Sequence, residues 1–278
     1  MKPEITLIKK CGPNPVMSKR IFLDAQGKVC SDGSQCLMAQ GTATRATTET
    51  AADLAKHIMD CGTEQAIALG ALRADIASPA KITTLAKLKD NPDAIARSRD
   101  FIDYCPGAPA WALIDFDTKG MPDNVASSIE AAGGMWNALL TVAPGLQRAA
   151  RVSRASTSSG LYRSDSGTQF GSSGGAHHYV LVKDGSDIER FLRDLHDRCW
   201  QHGLGWHLIG GAGQLLDRSL VDRMVAYGER LCFEGAPVIE PPLAQDVTKR
   251  TPDVFEGEAN RYRARRTPVD RVRAAARP

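Results

Sequence analysis

Apolar residues recur along this chain at two spacings, and each spacing predicts an element. Leu54, Ile58 and Cys61 fall at i, i+4 and i+7, one face of a helix. Thr47 and Thr48 are its candidate N-caps. Ile188, Phe191, Leu192, Leu195 and Cys199 form the clearest helical stripe, which predicts a helix from Asp187 to His202. Ser186 suits its N-cap and Gly203 its stop. Asn91-Pro92-Asp93 predicts a helix start, running through Ile95 to Phe101-Ile102, and Asp123 is placed to cap a helix toward Gly133. Shorter apolar runs predict strands. Ile21 to Val29 reads as two strand fragments around a turn, inside an otherwise irregular stretch 1–45. Ile67-Ala68-Leu69-Gly70, Leu139-Leu140-Thr141-Val142 and Gly205 to Ile209 suit strands, and Trp111 to Ile114 suits a strand ending at Asp115. Ala149 to Ser156 leads into a Ser/Gly-rich stretch ending at Gly175, whose small residues predict a mobile loop.

Strand, helix and strand following His177 fit a palm-like sheet with helices on one face, which makes the predicted fold class α+β. The expected organisation is one domain over 1–250, made of an N-terminal α/β portion (1–100) and a motif-bearing portion (101–250). Residues 251–278 are expected as a basic linker or tail, because Arg261, Arg263, Arg265, Arg266, Arg271, Arg273 and Arg277 crowd it with few apolar neighbours. Such a tail is either a solvated segment or an arm for DNA phosphates.

Composition narrows the class without naming a function. With 278 residues, 42% hydrophobic and 24% charged, the chain can bury a sizeable core. A net charge of +3 does not by itself single out nucleic acid as a partner. No apolar run approaches the ~20 residues of a membrane span, and the start Met1-Lys2-Pro3-Glu4-Ile5 has no signal-peptide core. Seven irregularly spaced cysteines do not make a secreted disulfide framework, so a reducing cytoplasm is expected.

Three segments carry candidate chemistry. Asp115-Phe116-Asp117 ends an apolar strand, and carboxylates at i and i+2 share one face of it. Paired anions repel unless neutralised, and hard divalent cations favour carboxylate oxygen. Downstream, Ser172-Ser173-Gly174-Gly175-Ala176-His177-His178-Tyr179 is a small-residue turn entering a strand. Gly174 and Gly175 let a phosphate approach the backbone, and His177 can donate to it. Third, Leu220-Val221-Asp222-Arg223-Met224-Val225 offers another carboxylate, and Glu229-Arg230-Leu231 an arginine.

The order of these motifs, from Trp111 to Pro237, resembles the archaeo-eukaryotic primase superfamily, in particular primase-polymerases of plasmids, phages and integrated elements. The first ~100 residues carry no matching motif. The resemblance implies a primase-polymerase catalytic domain with an RRM- or palm-like mixed sheet and flanking helices. It implies that Asp115, Asp117 and Asp222 bind Mg²⁺ or Mn²⁺ in a two-metal site. Asp222 is preferred to Asp217 because Val225 follows it at the family's spacing. It implies that Ser173, Gly174, Gly175, His177 and Arg230 hold the nucleotide. The implied activity is nucleotidyl transfer that makes or extends primers on single-stranded DNA. Two ions ~3.5–4 Å apart would activate a 3′-hydroxyl and stabilise the leaving pyrophosphate. Implied partners are template DNA, nucleoside triphosphates, and a replicative helicase or further domains of a longer chain, with no membrane.

Two other classes compete: a metal-dependent nuclease or relaxase, and a non-catalytic nucleic-acid-binding module. A relaxase pairs histidines on one face, whereas His177 and His178 are adjacent and point to opposite faces of a strand. His196, Cys199 and His202 do not share one helical face, and Cys30 and Cys36 are too isolated for a zinc ribbon. Gly210-Gly211-Ala212-Gly213 lacks the following Lys-Ser/Thr of a Walker loop.

Overall fold

In the computed structural model, residues 1–171 and 174–260 are described. The N-terminal portion supplies β1 (Glu4–Lys10), β2 (Arg20–Leu23), β3 (Val29–Asp32), β4 (Gly41–Thr47), α1 (Ala51–Met59) and β5 (Gln65–Ala68). Next come β6 (Ala71–Leu72), β7 (Ala80–Thr83), β8 (Ala94–Ala96) and β9 (Ile102–Asp103). β2 and β3 form the hairpin expected around Ile21 to Val29. β1 is apolar on both faces and lies inside a six-stranded sheet of order β16-β5-β1-β4-β7-β8, in which β16 is Leu231–Cys232. The β7–β8 pair is parallel and the rest antiparallel, so this sheet is mixed.

The motif-bearing portion supplies β10 (Ala110–Phe116), α2 (Asp123–Ala131), α3 (Met135–Val142), β11 (Arg151–Ala155), β12 (Leu161–Arg163) and β13 (Ala176–Val182). It continues with α4 (Ile188–Gln201), β14 (Gly205–Ile209), β15 (Leu215–Ser219), β17 (Val238–Ile239), β18 (Leu243–Gln245) and β19 (Asp253–Phe255). A second sheet, of order β10-β13-β11-β19, is antiparallel throughout. Alternation along β10 and β13 gives it two apolar faces. Ala112, Ile114, Phe116 and Val180 pack on α2, α3 and α4. Trp111, Leu113, Tyr179 and Val152 pack on α1, β1 and β5. The architecture is therefore α+β, with mixed and antiparallel sheets. Helices lie on both faces of the second sheet, not on one.

Several local expectations are corrected. Asn91-Pro92-Asp93 opens no helix: Asn91 accepts from the Ala94 N–H at 3.0 Å, and Ala94–Ala96 then extends beside β7. Its apolar residues are too few to form a helical stripe, and sheet pairing buries Ile95 instead. Leu139–Val142 is not a strand. It ends α3, where Met135, Ala138, Leu139 and Val142 form a buried i, i+3, i+4, i+7 stripe. A four-residue apolar run cannot separate the two elements, whereas the wider window can. The N-cap of α1 is Thr50, which forms a capping box with Asp53. Thr47 ends β4, and Thr48 is buried, accepting from Trp111 Nε1 at 2.9 Å. Asp123 is the first residue of α2 after the Pro122 cap, not its cap. The Asp184 carboxylate, not Ser186, caps the turn leading into α4 by accepting from the Ser186 N–H at 3.0 Å. Gly203 does stop α4, at φ +72°. The Ser/Gly-rich stretch contains β12, which pairs with β18. Among the described residues, β14 stays outside the main sheets and pairs only with β15. Past the expected boundary at 250, β19 adds to β11, so structured chain extends into the segment expected as a tail. The tail arginines from Arg261 onward lie outside the described residues. Among the described residues, no helix is long and apolar enough to cross a membrane.

Candidate active site

The site grows out of one cross-strand row. Register places Arg154 of β11, His177 of β13 and Asp115 of β10 side by side. All three lie on the face of the second sheet that also carries Trp111, Leu113 and Tyr179. His177 Nε2 stands 3.6 Å from Asp115 Oδ1. His178 takes the opposite face, where its Nδ1 is 2.8 Å from Ser153 Oγ and its ring lies beside Trp136.

Asp222 reaches the same place from a different element. Its N–H donates to the Asp115 carbonyl at 3.2 Å, and its carboxylate accepts from the Met224 N–H at 2.8 Å. Asp117 is exposed just beyond β10 and accepts from the Lys119 N–H at 3.0 Å. A cavity of about 280 Å³ is lined by Asp115, Asp117, Asp217, Arg218, Asp222 and Arg223, among others. Burial raises the Asp115 carboxyl above its ordinary value. His177 opposes that rise, while the charges of Asp222 and Asp117 add to it. Like charges that disfavour an ionised Asp115 fit its position beside Asp117 and Asp222 on one cavity wall.

Asp217 borders the cavity but is already engaged. Arg223 Nη1 lies at 2.7 Å and His196 Nε2 at 3.3 Å from its carboxylate. Asp222 has a looser partner, Arg218 Nη1 at 3.8 Å. The Asp222 charge is among the main influences on Asp115.

The glycine turn lies beside the residue that follows Asp117. Gly174 has φ +73°, and a Cβ there would press on Thr118, the neighbour of Asp117. Gly175 accepts from the Ser156 N–H at 3.0 Å as the chain enters β13. Ser173 lies outside the described residues. Arg230 is not brought in: it is exposed at the start of β16 and does not line the cavity. Arg218 and Arg223 are the arginines that line the cavity, and Lys19 adds positive charge felt at Asp115 and His177.

The patterns singled out in the sequence missed the group behind His177. The Glu234 side chain is only 1% exposed. It is bonded to His177 Nδ1, accepts from Tyr179 Oη at 2.6 Å and pairs with Arg154 Nη1 at 2.9 Å. Burial alone would raise its pKa, but these partners hold it down to about 2. For His177, burial pulls the pKa down, yet Glu234 and Asp115 outweigh it and the imidazole ends above its usual value. The available signal was a lone acid within Leu231-Cys232-Phe233-Glu234-Gly235. A buried charge must be paired.

Among the described residues, no group of three His, Cys, Asp or Glu side chains is gathered closely enough to grip an ion unaided. The donor chemistry nevertheless suits Mg²⁺ or Mn²⁺. The oxygens are hard, anionic and mutually repelling, and Mg²⁺ usually completes its shell with water and substrate phosphate instead of a full protein cage. Compared with family models, curated proteins and solved structures, the chain has no match.

Proposed function

We propose that this protein is a primase-polymerase of the archaeo-eukaryotic type, joining nucleotides to a primer strand on single-stranded DNA. The observation that carries the reading is the convergence of Asp115, Asp117 and Asp222 beside the His177 imidazole, with Asp115 destabilised by the other two. A site of hard carboxylates next to an imidazole whose pKa is raised suits a triphosphate and its counter-ions better than an uncharged substrate.

Asp115, Asp117 and Asp222 would hold Mg²⁺ or Mn²⁺. Bound there, the metal supplies charge neutralisation at the triphosphate and a more acidic 3′-hydroxyl. The chain's own groups do the rest. His177 turns Nε2 toward the carboxylates and donates to a phosphate oxygen. Lys19 adds positive charge from the N-terminal portion. The left-handed Gly174 lets the chain turn tightly beside Thr118, where a Cβ would crowd the threonine methyl. The expected partners are template DNA and nucleoside triphosphates, with a helicase or further domains as the wider setting.

The test supplies labelled nucleoside triphosphates, Mg²⁺ or Mn²⁺, and single-stranded DNA with and without a primer. Wild type runs beside Asp115→Ala/Asp117→Ala. Products that lengthen only with wild type support the reading, and products without a primer add priming. Shortening of the DNA would favour a nuclease. DNA binding with neither change would favour a non-catalytic module.

A further inference from the structure

We infer that Glu234 is a positioning residue, fixing the His177 ring so that Nε2 faces Asp115 and the nucleotide site. The inference deepens the primase-polymerase reading and rests on it for the identity of the ligand.

Glu234 is a buried carboxylate beside the candidate site. Glu234 follows β16 and meets the second sheet on its Asp115 face. Its Oε1 takes the Tyr179 hydroxyl at 2.6 Å and the His177 Nδ1. Its Oε2 takes Arg154 Nη1 at 2.9 Å, with Arg250 Nη2 at 3.9 Å. Tyr179 and His177 are i+2 neighbours on β13, and Arg154 is the cross-strand partner of His177. One carboxylate therefore ties three residues of two adjacent strands.

A pure clamp would end at buried partners. Tyr179 and Arg250 are buried and Arg154 nearly so, and their polar groups turn inward. His177 differs: its ring is half-buried, and its second nitrogen stands 3.6 Å from Asp115. An imidazole held at Nδ1 can aim Nε2 in only one direction. A carboxylate behind a histidine sets its ring orientation and proton placement in the same way at metal and nucleophile sites. Glu234 arrives from a segment bonded to the N-terminal portion: Ser18 Oγ donates to the Ala236 carbonyl at 2.6 Å. Lys19 follows Ser18 directly, so this contact joins the segment carrying Glu234 to the one carrying Lys19.

The experiment compares wild type, Glu234→Gln, Glu234→Ala and His177→Ala, and joins each Glu234 variant to His177→Ala. Nucleotide KM and kcat are measured for primer extension, and histidine ring nitrogens are observed by NMR without nucleotide. Gln can still accept from Nδ1–H, so Glu234→Gln should stay within about threefold of wild-type KM. Glu234→Ala should raise KM about tenfold or more with a smaller change in kcat. In the His177→Ala background neither substitution should add a further loss. Equal losses in Gln and Ala, or losses that multiply with His177→Ala, would show a merely structural role and overturn the inference.

The NMR arm stands apart from activity. Wild type should show a hydrogen-bonded Nδ1 proton on His177, and Glu234→Ala should lose it. An Nδ1 without such a proton in wild type overturns the positioning role, even where Glu234→Ala does not fold. If the proton is present and nucleotides are not used, positioning stands and the polymerase reading fails.

Discussion

Adjacent histidines on opposite faces of β13 should answer to pH in opposite directions, and His178 gives the cleaner measurement. It is 8% exposed, and its Nε2 has no hydrogen-bond partner among the described residues. Burial, with the nearby charges of Arg151 and His177, lowers its pKa from 6.5 to about 4. The unfolded chain therefore takes up a proton as pH falls below about 6.5, while the folded chain resists until about 4. Stability falls across that window. At ~1.36 kcal/mol per pH unit, the loss attributable to His178 is about 3 kcal/mol. His177 runs the other way. Its folded pKa is raised, so its contribution is full below 6.5 and fades as pH rises through the folded value. The perturbation that isolates His178 is His178→Gln, which cannot titrate and can still bond Ser153 Oγ. Urea unfolding followed by tryptophan fluorescence, from about pH 7 down to about pH 4.5, gives both stability curves. Wild type should lose roughly 2 to 3 kcal/mol more than the variant over that range. Parallel curves would refute the argument, because a titrating buried imidazole cannot leave the slope unchanged.

The two candidate third aspartates should separate cleanly. Asp222→Asn is expected to cost at least about a hundredfold in nucleotide incorporation, while Asp217→Asn, already paired with Arg223 and His196, leaves most activity; steady-state rates compare them. Lys19→Ala should raise the nucleotide KM more than Arg230→Ala does, since the Lys19 charge is felt at Asp115 and His177 and Arg230 does not line the cavity; the reverse ranking would restore Arg230 to the site. Gly235→Ala would push a Cβ against the Gly62 carbonyl oxygen, a backbone atom that cannot swing aside. Such crowding costs about 1–3 kcal/mol, read as a lower melting temperature, and it should disturb Glu234 alongside.

What was legible in the sequence followed from local periodicity. The strand ending at Asp115, the α4 stripe and its Gly203 stop, and the Ile21–Val29 hairpin needed only residues close together in the chain. The motif order also placed Asp115, Asp117, Asp222, His177 and the glycine turn near one another. What stayed hidden depended on distant pairing. Ala94–Ala96 becomes a strand because β7 offers an edge, not because its own residues demand it. Leu139–Val142 misled because four apolar residues fit either period, and the deciding partners, Met135 and Ala138, lie outside that window. Glu234 was visible as an acid in an apolar stretch, but nothing local says that its partners sit on β11 and β13. Arg230 shows the converse: a residue at a matching motif position can still fall outside the cavity lining.

The returning strands carry a consequence for how the chain reaches this state. β16 completes the edge of the N-terminal sheet beside β5, β17 runs parallel to β2, and β19 closes the second sheet on β11. Val238 pairs with Arg20, so strands translated first wait for strands translated near the end of the described chain. Loop-closure entropy must be met before such pairings are rewarded, which slows folding and leaves apolar edges bare meanwhile. Nascent chains stalled before Leu231 should therefore leave β5 and β2 open to protease along these edges, while chains carried past Phe255 protect them.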